Sequence, residues 1–235
     1  MITRSSNTAR HGGSLLRMVA VFGLCLSLAA CGESTSPGSG GKTGGLGDPG
    51  NKKTVAYGIS VSMPKGWSVM ESVDPGTVSN AELESRIKTN PVPLLALGLP
   101  STTNPQQGDA IVLVFLADSA KNMPPEQVVS QMTQEGMDQL AKNTMQQQNE
   151  AAKKAKQPGQ TLEWKITREN LNGHMALFNN VLGQGPNGNV RAHMWYIYLP
   201  NGIGIGIESK GNAAHPGIDA MMESIARSLT VSQAK

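Results

Sequence analysis

The stretch Ala110–Ala117, AIVLVFLA, decides the fold class of this 235-residue chain. Every residue in it is apolar, and Ile111, Val112 and Val114 are β-branched. A short, continuous apolar run of this composition indicates a strand buried on both faces, because a half-exposed strand would alternate apolar and polar residues. The run therefore predicts a sheet strand with packed elements on both of its sides.

Four further strands are predicted in the C-terminal third, where apolar runs are separated by turn sequences. They cover Leu162–Asn170, Met175–Leu182, Val190–Leu199 and Ile203–Ser209. A tight turn at Asn172-Gly173 joins the first two, and this residue pair tolerates the positive φ angles of hairpin turns. Short hairpin connections make neighbouring strands antiparallel. We therefore predict an α+β domain with a central, largely antiparallel sheet and helices packed on it.

The sequence also predicts three helices. Ser79 and Glu82 have the spacing of a capping box, which predicts a short helix ending before Asn90-Pro91. A long amphipathic helix is predicted from Glu126 towards Lys156, with Val128, Val129, Met132 and Leu140 at near-helical spacing. A last helix is predicted from Pro216 to Leu229. Its apolar face consists of Ile218, Met221, Met222, Ile225 and Leu229.

The segment 55–70, VAYGISVSMPKGWSVM, predicts two strands or a kinked pair that break at Pro64-Lys65-Gly66. Together with LNGHMALF at 171–178, a tyrosine-bearing strand, and IARSLTV at 225–231, it resembles the PsbP-like superfamily. That superfamily includes DcrB-type and LpqN-type envelope lipoproteins. The resemblance covers most of residues 54–233 and implies a central antiparallel sheet with helices on both sides. It implies no shared set of catalytic residues, and it implies proteins that mostly bind or assist other proteins.

The first 30 residues have the layout of a secretory signal peptide. Arg4, Arg10 and Arg17 carry the only formal charges there, and the run Met18–Ala30 is apolar or small throughout. A run of about 13 residues fits a signal peptide and is shorter than the ~20 residues of a membrane-spanning helix. Its end, Leu28-Ala29-Ala30-Cys31, resembles the lipobox of bacterial lipoproteins. The resemblance implies a diacylglyceryl thioether on Cys31 and cleavage before it. The alternative is an ordinary signal peptide with an Ala-x-Ala site.

These features divide the chain into three parts: a signal peptide at 1–30, a lipidated Cys31 with a tether to residue 53, and a single PsbP-like domain at 54–235. The tether is dominated by Gly, Ser and Pro, so it buries too little apolar surface to offset its chain entropy and is expected to be disordered. Two or more acyl chains on Cys31 anchor a protein stably to a membrane without a spanning helix.

Charge and location follow from the loss of the signal peptide. Its removal takes away three of the 20 basic residues and none of the 17 acidic ones, so the mature chain is formally neutral. A neutral chain offers no basic surface for nucleic acid, which we do not expect as a partner. Gly32 follows the lipidated cysteine, and resemblance to enterobacterial sorting implies the outer membrane, facing the periplasm. The inner membrane remains the alternative.

Three motifs look like sites of chemistry, and the sequence around each argues against that interpretation. Ser62-Met63-Pro64-Lys65 and Lys42-Thr43-Gly44 match motifs of penicillin-binding enzymes but lack the required helix and chain order. Gly202–Glu208, GIGIGIE, has strand periodicity, with one glycine face that a helix or backbone can approach closely. The pairs His174-Met175 and His193-Met194 would suit Cu(I), but adjacent strand residues point to opposite faces. We therefore predict no catalytic, cofactor-binding or metal-binding residues.

Three functions are compatible with these features. The first is a lipid-anchored accessory lipoprotein of the bacterial envelope, not an enzyme, that binds another envelope protein non-covalently. The second is a carrier of a small apolar or lipid ligand, which needs a sizeable cavity under the long helix. The third is a hydrolase, which would need a cleft joining His193 to an acid and a serine.

Overall fold

The computed structural model describes residues 51–101, 108–156, 160–185 and 188–232. The predicted signal peptide, the predicted lipidation site Cys31, Lys42-Thr43-Gly44 and most of the tether lie outside these ranges. The strands are β1 (Lys52–Thr54), β2 (Ile59–Ser62), β3 (Ser68–Ser72), β4 (Val92–Pro100), β5 (Gly108–Asp118), β6 (Gln160–Leu171), β7 (His174–Gly185), β8 (Gly188–Tyr198), β9 (Ile203–Asn212) and β10 (Thr230–Val231). The helices are α1 (Asn80–Ile87), α2 (Ser119–Asn122), α3 (Glu126–Gln131), α4 (Gln134–Lys154) and α5 (Ile218–Arg227).

The large sheet has seven strands in the order β3-β4-β5-β9-β8-β7-β6, and every neighbouring pair is antiparallel. A smaller antiparallel sheet has the order β1-β2-β10. The predicted α+β fold with a central antiparallel sheet is therefore confirmed. The four strands predicted in the C-terminal third correspond to β6, β7, β8 and β9, and the first two are joined at Asn172 (φ 53°) and Gly173 (φ 88°).

The stretch AIVLVFLA lies in β5, between β4 and β9 near the middle of the large sheet. Val112, Val114 and Leu116 are completely buried on one face, and Phe115 and Ala117 are buried on the other. The predicted burial on both faces is thus confirmed for this part of the strand. Successive side chains of a strand alternate between faces, so each set belongs to a different core.

Helices cover both faces of the large sheet, as the resemblance implied. On one side, called the α5 face, α1, α5 and the small sheet pack on the strands through Leu83, Ile225 and Ile59. On the other side, called the α4 face, α3 and α4 pack on them through Val129, Met137 and Ala141. Burial of these two apolar layers against the sheet is the main source of stability that the fold provides.

The glycines of GIGIGIE lie in β9, as the strand periodicity predicts. Ile203, Ile205 and Ile207 belong to the core on the α5 face. A Cβ added at Gly204 would lie 2.0 Å from Met123 Sδ, and one at Gly206 would lie 2.0 Å from Phe115 Cζ. The bare face therefore accommodates side chains, and the expectation of a closely approaching helix or backbone is wrong.

The long helix predicted from Glu126 towards Lys156 is two helices, and its predicted continuity is wrong. Met132 is extended (φ −69°, ψ 129°), and Thr133 begins α4 by accepting a hydrogen bond on Oγ1 from Gly136 N at 3.2 Å. A threonine side chain offers the backbone this alternative partner, so the apolar spacing alone could not reveal the break. Val128, assigned to the apolar face, is 50% exposed.

The N-terminal part of the domain contains the two strands predicted for segment 55–70, separated at Pro64-Lys65-Gly66. The two strands enter different sheets, since β2 belongs to the small sheet and β3 to the large one. The predicted boundary between residues 53 and 54 lies inside β1, where Lys53 pairs with Val61 of β2. Ser79 caps α1 as predicted, because its Oγ accepts a hydrogen bond from Glu82 N at 3.2 Å.

Candidate functional site

The large sheet has one edge at β3, and its side chains there are exposed to solvent. Ser68, Val69, Met70 and Glu71 are all exposed, with Val69 at 39% and Met70 at 65%. The register with β4 shifts between Val69 and Glu71, which marks a β-bulge at Met70. Within the described ranges, β4 is the only strand paired with β3. The outer side of β3 therefore offers main-chain donors and acceptors to another chain.

The opposite edge, at β6, is closed by helix α4. Asn149 of α4 accepts a hydrogen bond on Oδ1 from Thr161 N at 2.7 Å and donates from Nδ2 to Thr161 O at 2.9 Å. Gln134 Nε2 donates to Ile166 O at 3.2 Å. These side-chain amides occupy positions where a neighbouring strand would supply its backbone, so they protect the β6 edge from pairing. The β6 edge is therefore protected from pairing with another strand, whereas the β3 edge is not.

The exposed β3 edge continues into a half-buried apolar area on the α4 face. Ala96 pairs with Leu113, and Gly98 pairs with Ile111; Ala96, Ile111 and Leu113 are each half-buried. The Met70 side chain lies over Gly98, since a Cβ there would be 2.7 Å from Met70 Sδ. We call Met70, Ala96, Ile111 and Leu113 the β3–β5 patch. Helix α4 packs against β6, at the far side of the sheet, and leaves this patch partly open.

A second feature is a polar and aromatic cluster on the α5 face, called the α5 cluster. It consists of Phe178 on β7, Arg191, His193 and Trp195 on β8, and Asp219 in the first turn of α5. Phe178 stacks on Trp195 with ring centroids 4.6 Å apart, and the His193 ring is perpendicular to both at 5.4 and 5.5 Å. Aromatic pairs favour these two geometries. The three rings thus pack against one another in a fixed arrangement beneath the N-terminal turn of α5.

Asp219 faces both basic side chains of the α5 cluster without a hydrogen bond to either. Its Oδ2 lies 3.7 Å from Arg191 Nε and its Oδ1 lies 3.8 Å from His193 Nε2. Arg191 Nη1 donates to Asn180 Oδ1 at 3.1 Å. Burial lowers the pKa of His193, and the carboxylate of Asp219 only partly opposes this effect. His193 is therefore neutral near pH 7.

Three buried nitrogen atoms of the α5 cluster have no hydrogen-bond partner among the residues described. They are Arg191 Nε, His193 Nδ1 and Trp195 Nε1. A buried polar atom without a partner costs about 1–3 kcal/mol, so native proteins contain few of them. Three such atoms at alternate positions of one strand therefore require an explanation.

The α5 cluster does not have the geometry of a hydrolytic triad, although it joins His193 to an acid and lies beside a serine. Ser209 is the cross-strand neighbour of His193, but its Oγ donates to the backbone oxygen of His193 at 3.1 Å, not to the ring. A serine nucleophile needs a hydrogen bond to the base that activates it. Ser209 is also 98% buried, at 2% exposure. This arrangement gives no support to serine chemistry.

The other motifs considered in the sequence are separate from this cluster. Ser62 ends a strand and Lys65 lies in the following turn, so neither is on the helix that penicillin-binding chemistry needs. His193 and Met194 point to opposite faces, with Met194 in the core on the α4 face. In the described ranges, no three His, Cys, Asp or Glu residues are grouped as metal ligands would be. None of the helices there has the length and hydropathy needed to cross a bilayer.

Sequence reasoning named Cys31 as the one modified residue, and it lies outside the described ranges. Neither the β3 edge nor the α5 cluster was predicted, although the sequence contained one indication of each. The exposed Met70 follows a predicted break at Pro64-Lys65-Gly66, and His193 was singled out as a residue that an acid could join. Asp219 had no such signal, because only the docking of α5 brings it to β8.

Comparison with known proteins gives matches among solved structures alone: no family model matches the chain, and no curated protein does. A protein of Bacteroides thetaiotaomicron VPI-5482 is similar at 9% identity and a TM-score of 0.41, over 78% of this chain and 49% of the other, so this chain spans about half its length. PsbP of Synechocystis sp. PCC 6803 is similar at 12% identity and a TM-score of 0.45, over 82% and 98%. LpqN of Mycobacterium tuberculosis, involved in cell envelope biogenesis, is similar at 13% identity and a TM-score of 0.41, over 81% and 90%. These are similarities of fold at low identity, and two of them are to the PsbP and LpqN types that the sequence motifs suggested.

Proposed function

We propose that this chain is a lipid-anchored accessory protein of the bacterial envelope that faces the periplasm and binds another envelope protein non-covalently. The lipobox-like sequence ending at Cys31 and the Gly/Ser/Pro-rich tether support the anchor. A tether of this composition lets the domain reach partners in the aqueous space beside a membrane. The binding function rests on a different part of the molecule.

The observation that carries the binding function is the open β3 edge with Val69 and Met70 exposed on it. An extended segment of a partner adds to such an edge as a further strand, and main-chain hydrogen bonds supply much of the affinity. Alternate side chains of that segment would contact the β3–β5 patch. Glu71 forms no salt bridge among the described residues, so a lysine or arginine of the partner would complement it.

The β6 edge supplies the contrast that makes this assignment specific. There, Asn149 and Gln134 already satisfy the outward-facing backbone of Thr161 and Ile166. A strand could add to β6 only after displacing these side chains. Within the large sheet, β3 is therefore the edge at which a partner strand binds at the lower cost.

Site-specific photocrosslinking in native envelopes tests this proposal. A photoreactive residue at Met70 is expected to crosslink to a discrete partner protein. The matched controls are Val128 and Leu162, which are exposed at 50% and 44% but lie on α3 and β6. We expect the Met70 adduct to be absent from both controls and to disappear when Val69 is replaced by lysine. Equal adducts at all three positions, or none at Met70, would contradict the proposal. A Met70 adduct with a second copy of this chain would replace the envelope partner by self-association.

The carrier hypothesis is the alternative, and it makes a different prediction. It needs an apolar ligand beneath α4, where Met137 and Ala141 are buried in the core on that face. Native mass spectrometry of protein purified from its host would then show a stoichiometric lipid in addition to the acyl chains on Cys31. The binding proposal expects the acylated chain without a second lipid.

A further inference from the structure

The unpartnered nitrogen atoms of the α5 cluster point to a ligand that the chain itself does not supply. Arg191, His193 and Trp195 occupy alternate positions of β8 and share the α5 face. The exposed side-chain fraction falls from 54% at Asp219 to 21% at Arg191 and 5% at His193, and Trp195 is fully buried. The cluster thus extends from the surface into the domain. A bound group entering past Asp219 and Arg191 would meet His193 and Trp195 next.

The hydrogen-bonding chemistry of the inner atoms suggests a hydroxyl group. Trp195 Nε1 can only donate. His193 Nε2 faces the Asp219 carboxylate, so the neutral tautomer that suits this contact carries its hydrogen on Nε2 and leaves Nδ1 as an acceptor. The two unpartnered atoms are therefore one donor and one acceptor. A hydroxyl group satisfies both, because it accepts one hydrogen bond while it donates another.

The charges around the cluster favour a neutral ligand. Arg191 and Asp219 balance each other. Glu223, which also acts electrostatically on His193, is paired with Arg227 Nε at 2.6 Å, so the cluster has no net charge that would select an anion or a cation. Arg191, Asn180 and Asp219 together offer donors and acceptors at the outer end of the cluster. The half-buried ring of Phe178 adds an apolar wall.

We infer that the α5 cluster is a binding site for a small neutral polyol or sugar. One hydroxyl of the ligand lies between Trp195 Nε1 and His193 Nδ1, and its apolar face lies against Phe178. Further hydroxyls reach Arg191 and Asp219 at the mouth of the site. A few polar groups beside an aromatic wall are a usual composition of a small-molecule site. This inference is independent of the β3 edge and of the lipid anchor.

Nuclear magnetic resonance of the ¹⁵N-labelled full-length chain tests the inference, since the chain has three tryptophans. The probes are glucose, N-acetylglucosamine and glycerol, with glucuronate and glucosamine as charged counterparts. We expect at least one neutral probe to shift the indole N–H signal of Trp195 saturably. The Trp164 signal is the internal control, because its Nε1 already donates to Asn179 Oδ1 at 3.1 Å. Trp67 is a second control, with an unpartnered Nε1 elsewhere in the domain.

The titration of the unmodified chain decides the question by itself. If no neutral probe shifts the Trp195 signal, the nitrogen atoms belong to a buried water only and the inference fails. Tighter binding of glucuronate or glucosamine than of glucose would overturn the argument from charge. Equal shifts at Trp67 and Trp195 would show non-specific contact and also overturn it.

Variants then locate the site. His193→Phe keeps an aromatic ring and removes Nδ1, and it is expected to weaken binding about three- to tenfold, the size of one net hydrogen bond. Trp67→Phe is the matched control and should leave the affinity unchanged. Equal affinities in the two variants would place the sugar elsewhere.

Discussion

Replacement of Gly206 by alanine tests the packing that holds β9 in the middle of the sheet. Gly206 pairs with Phe115 on one side and with Tyr196 on the other. The ring of Phe115 occupies the space above Gly206, and an added Cβ would lie 2.0, 2.3 and 2.6 Å from three of its carbon atoms. Real Cβ atoms do not approach a ring so closely, so Phe115 must move or the strands must separate.

The expected cost follows from two opposing effects. Overpacking of a filled core costs about 1–3 kcal/mol. Alanine restricts the unfolded chain more than glycine does, which stabilises the folded state by about 0.5–1 kcal/mol. The steric effect is larger because the ring of Phe115 is buried and is not the free end of a flexible side chain. We expect Gly206→Ala to lower the free energy of unfolding by about 1–2 kcal/mol, and Tm by about 2–8 °C for a domain of this size.

Urea unfolding followed by tryptophan fluorescence measures this change. Gly183→Ala is the matched control on β7, because a Cβ there would make only an ordinary contact, 3.5 Å from Gln160 O. It should be neutral or slightly stabilising. In a Phe115→Ala background the added methyl meets no ring, so Gly206→Ala should cost nothing there, a coupling of about 1–2 kcal/mol. If Gly206→Ala costs the same with alanine as with phenylalanine at 115, the packing argument is refuted.

Three further predictions concern the edge, the α5 cluster and the anchor. Asn149→Ala leaves the backbone N–H and C=O of Thr161 without their partner and should lower the free energy of urea unfolding by about 1–3 kcal/mol. The control Asn143→Ala, on the exposed side of the same helix, should change it by less than about 0.5 kcal/mol. Burial lowers the pKa of His193 in the folded state, so the unfolded chain binds this proton first as the pH falls below about 6.5. The free energy of unfolding should therefore decrease from pH 7 to pH 5, and His193→Phe should reduce that decrease. Urea midpoints at both pH values measure the two effects. Cys31→Ser should release the protein from the membrane fraction of its host, and an unmodified thiol at Cys31 in the intact mass of native protein would refute lipidation.

Much of the fold was predictable because its signals are local. The run AIVLVFLA indicated a central strand, and the alternation in GIGIGIE indicated a strand with two different faces. Asn172-Gly173 indicated a hairpin, and Ser79 with Glu82 indicated the start of a helix. Each signal depends on the period or the backbone preference of a few adjacent residues. The break after Gln131 escaped prediction because the cap at Thr133 competes with helix propagation through a single hydrogen bond.

The functional candidates depended on contacts between distant parts of the chain. Residues 59–62 and 68–72 are neighbours in sequence, yet they enter different sheets, and this division leaves the second of them at an open edge. Asp219 meets His193 only because α5 folds back over β8. Nothing in either local sequence specifies these meetings, so sequence reasoning could name His193 but not its surroundings.

The amino-acid sequence by itself determined strands β5 to β9, the start of α1 and the helix α5, that the sheet is antiparallel and covered, and which cysteine a lipid-modifying enzyme would be expected to modify. The tertiary structure alone decided which edge of the sheet is closed by Asn149 and which stays open, and which polar atoms remain without partners on the α5 face. The physical reason is that period and backbone preference act within a few residues, whereas hydrogen-bond satisfaction depends on every group that the fold brings near.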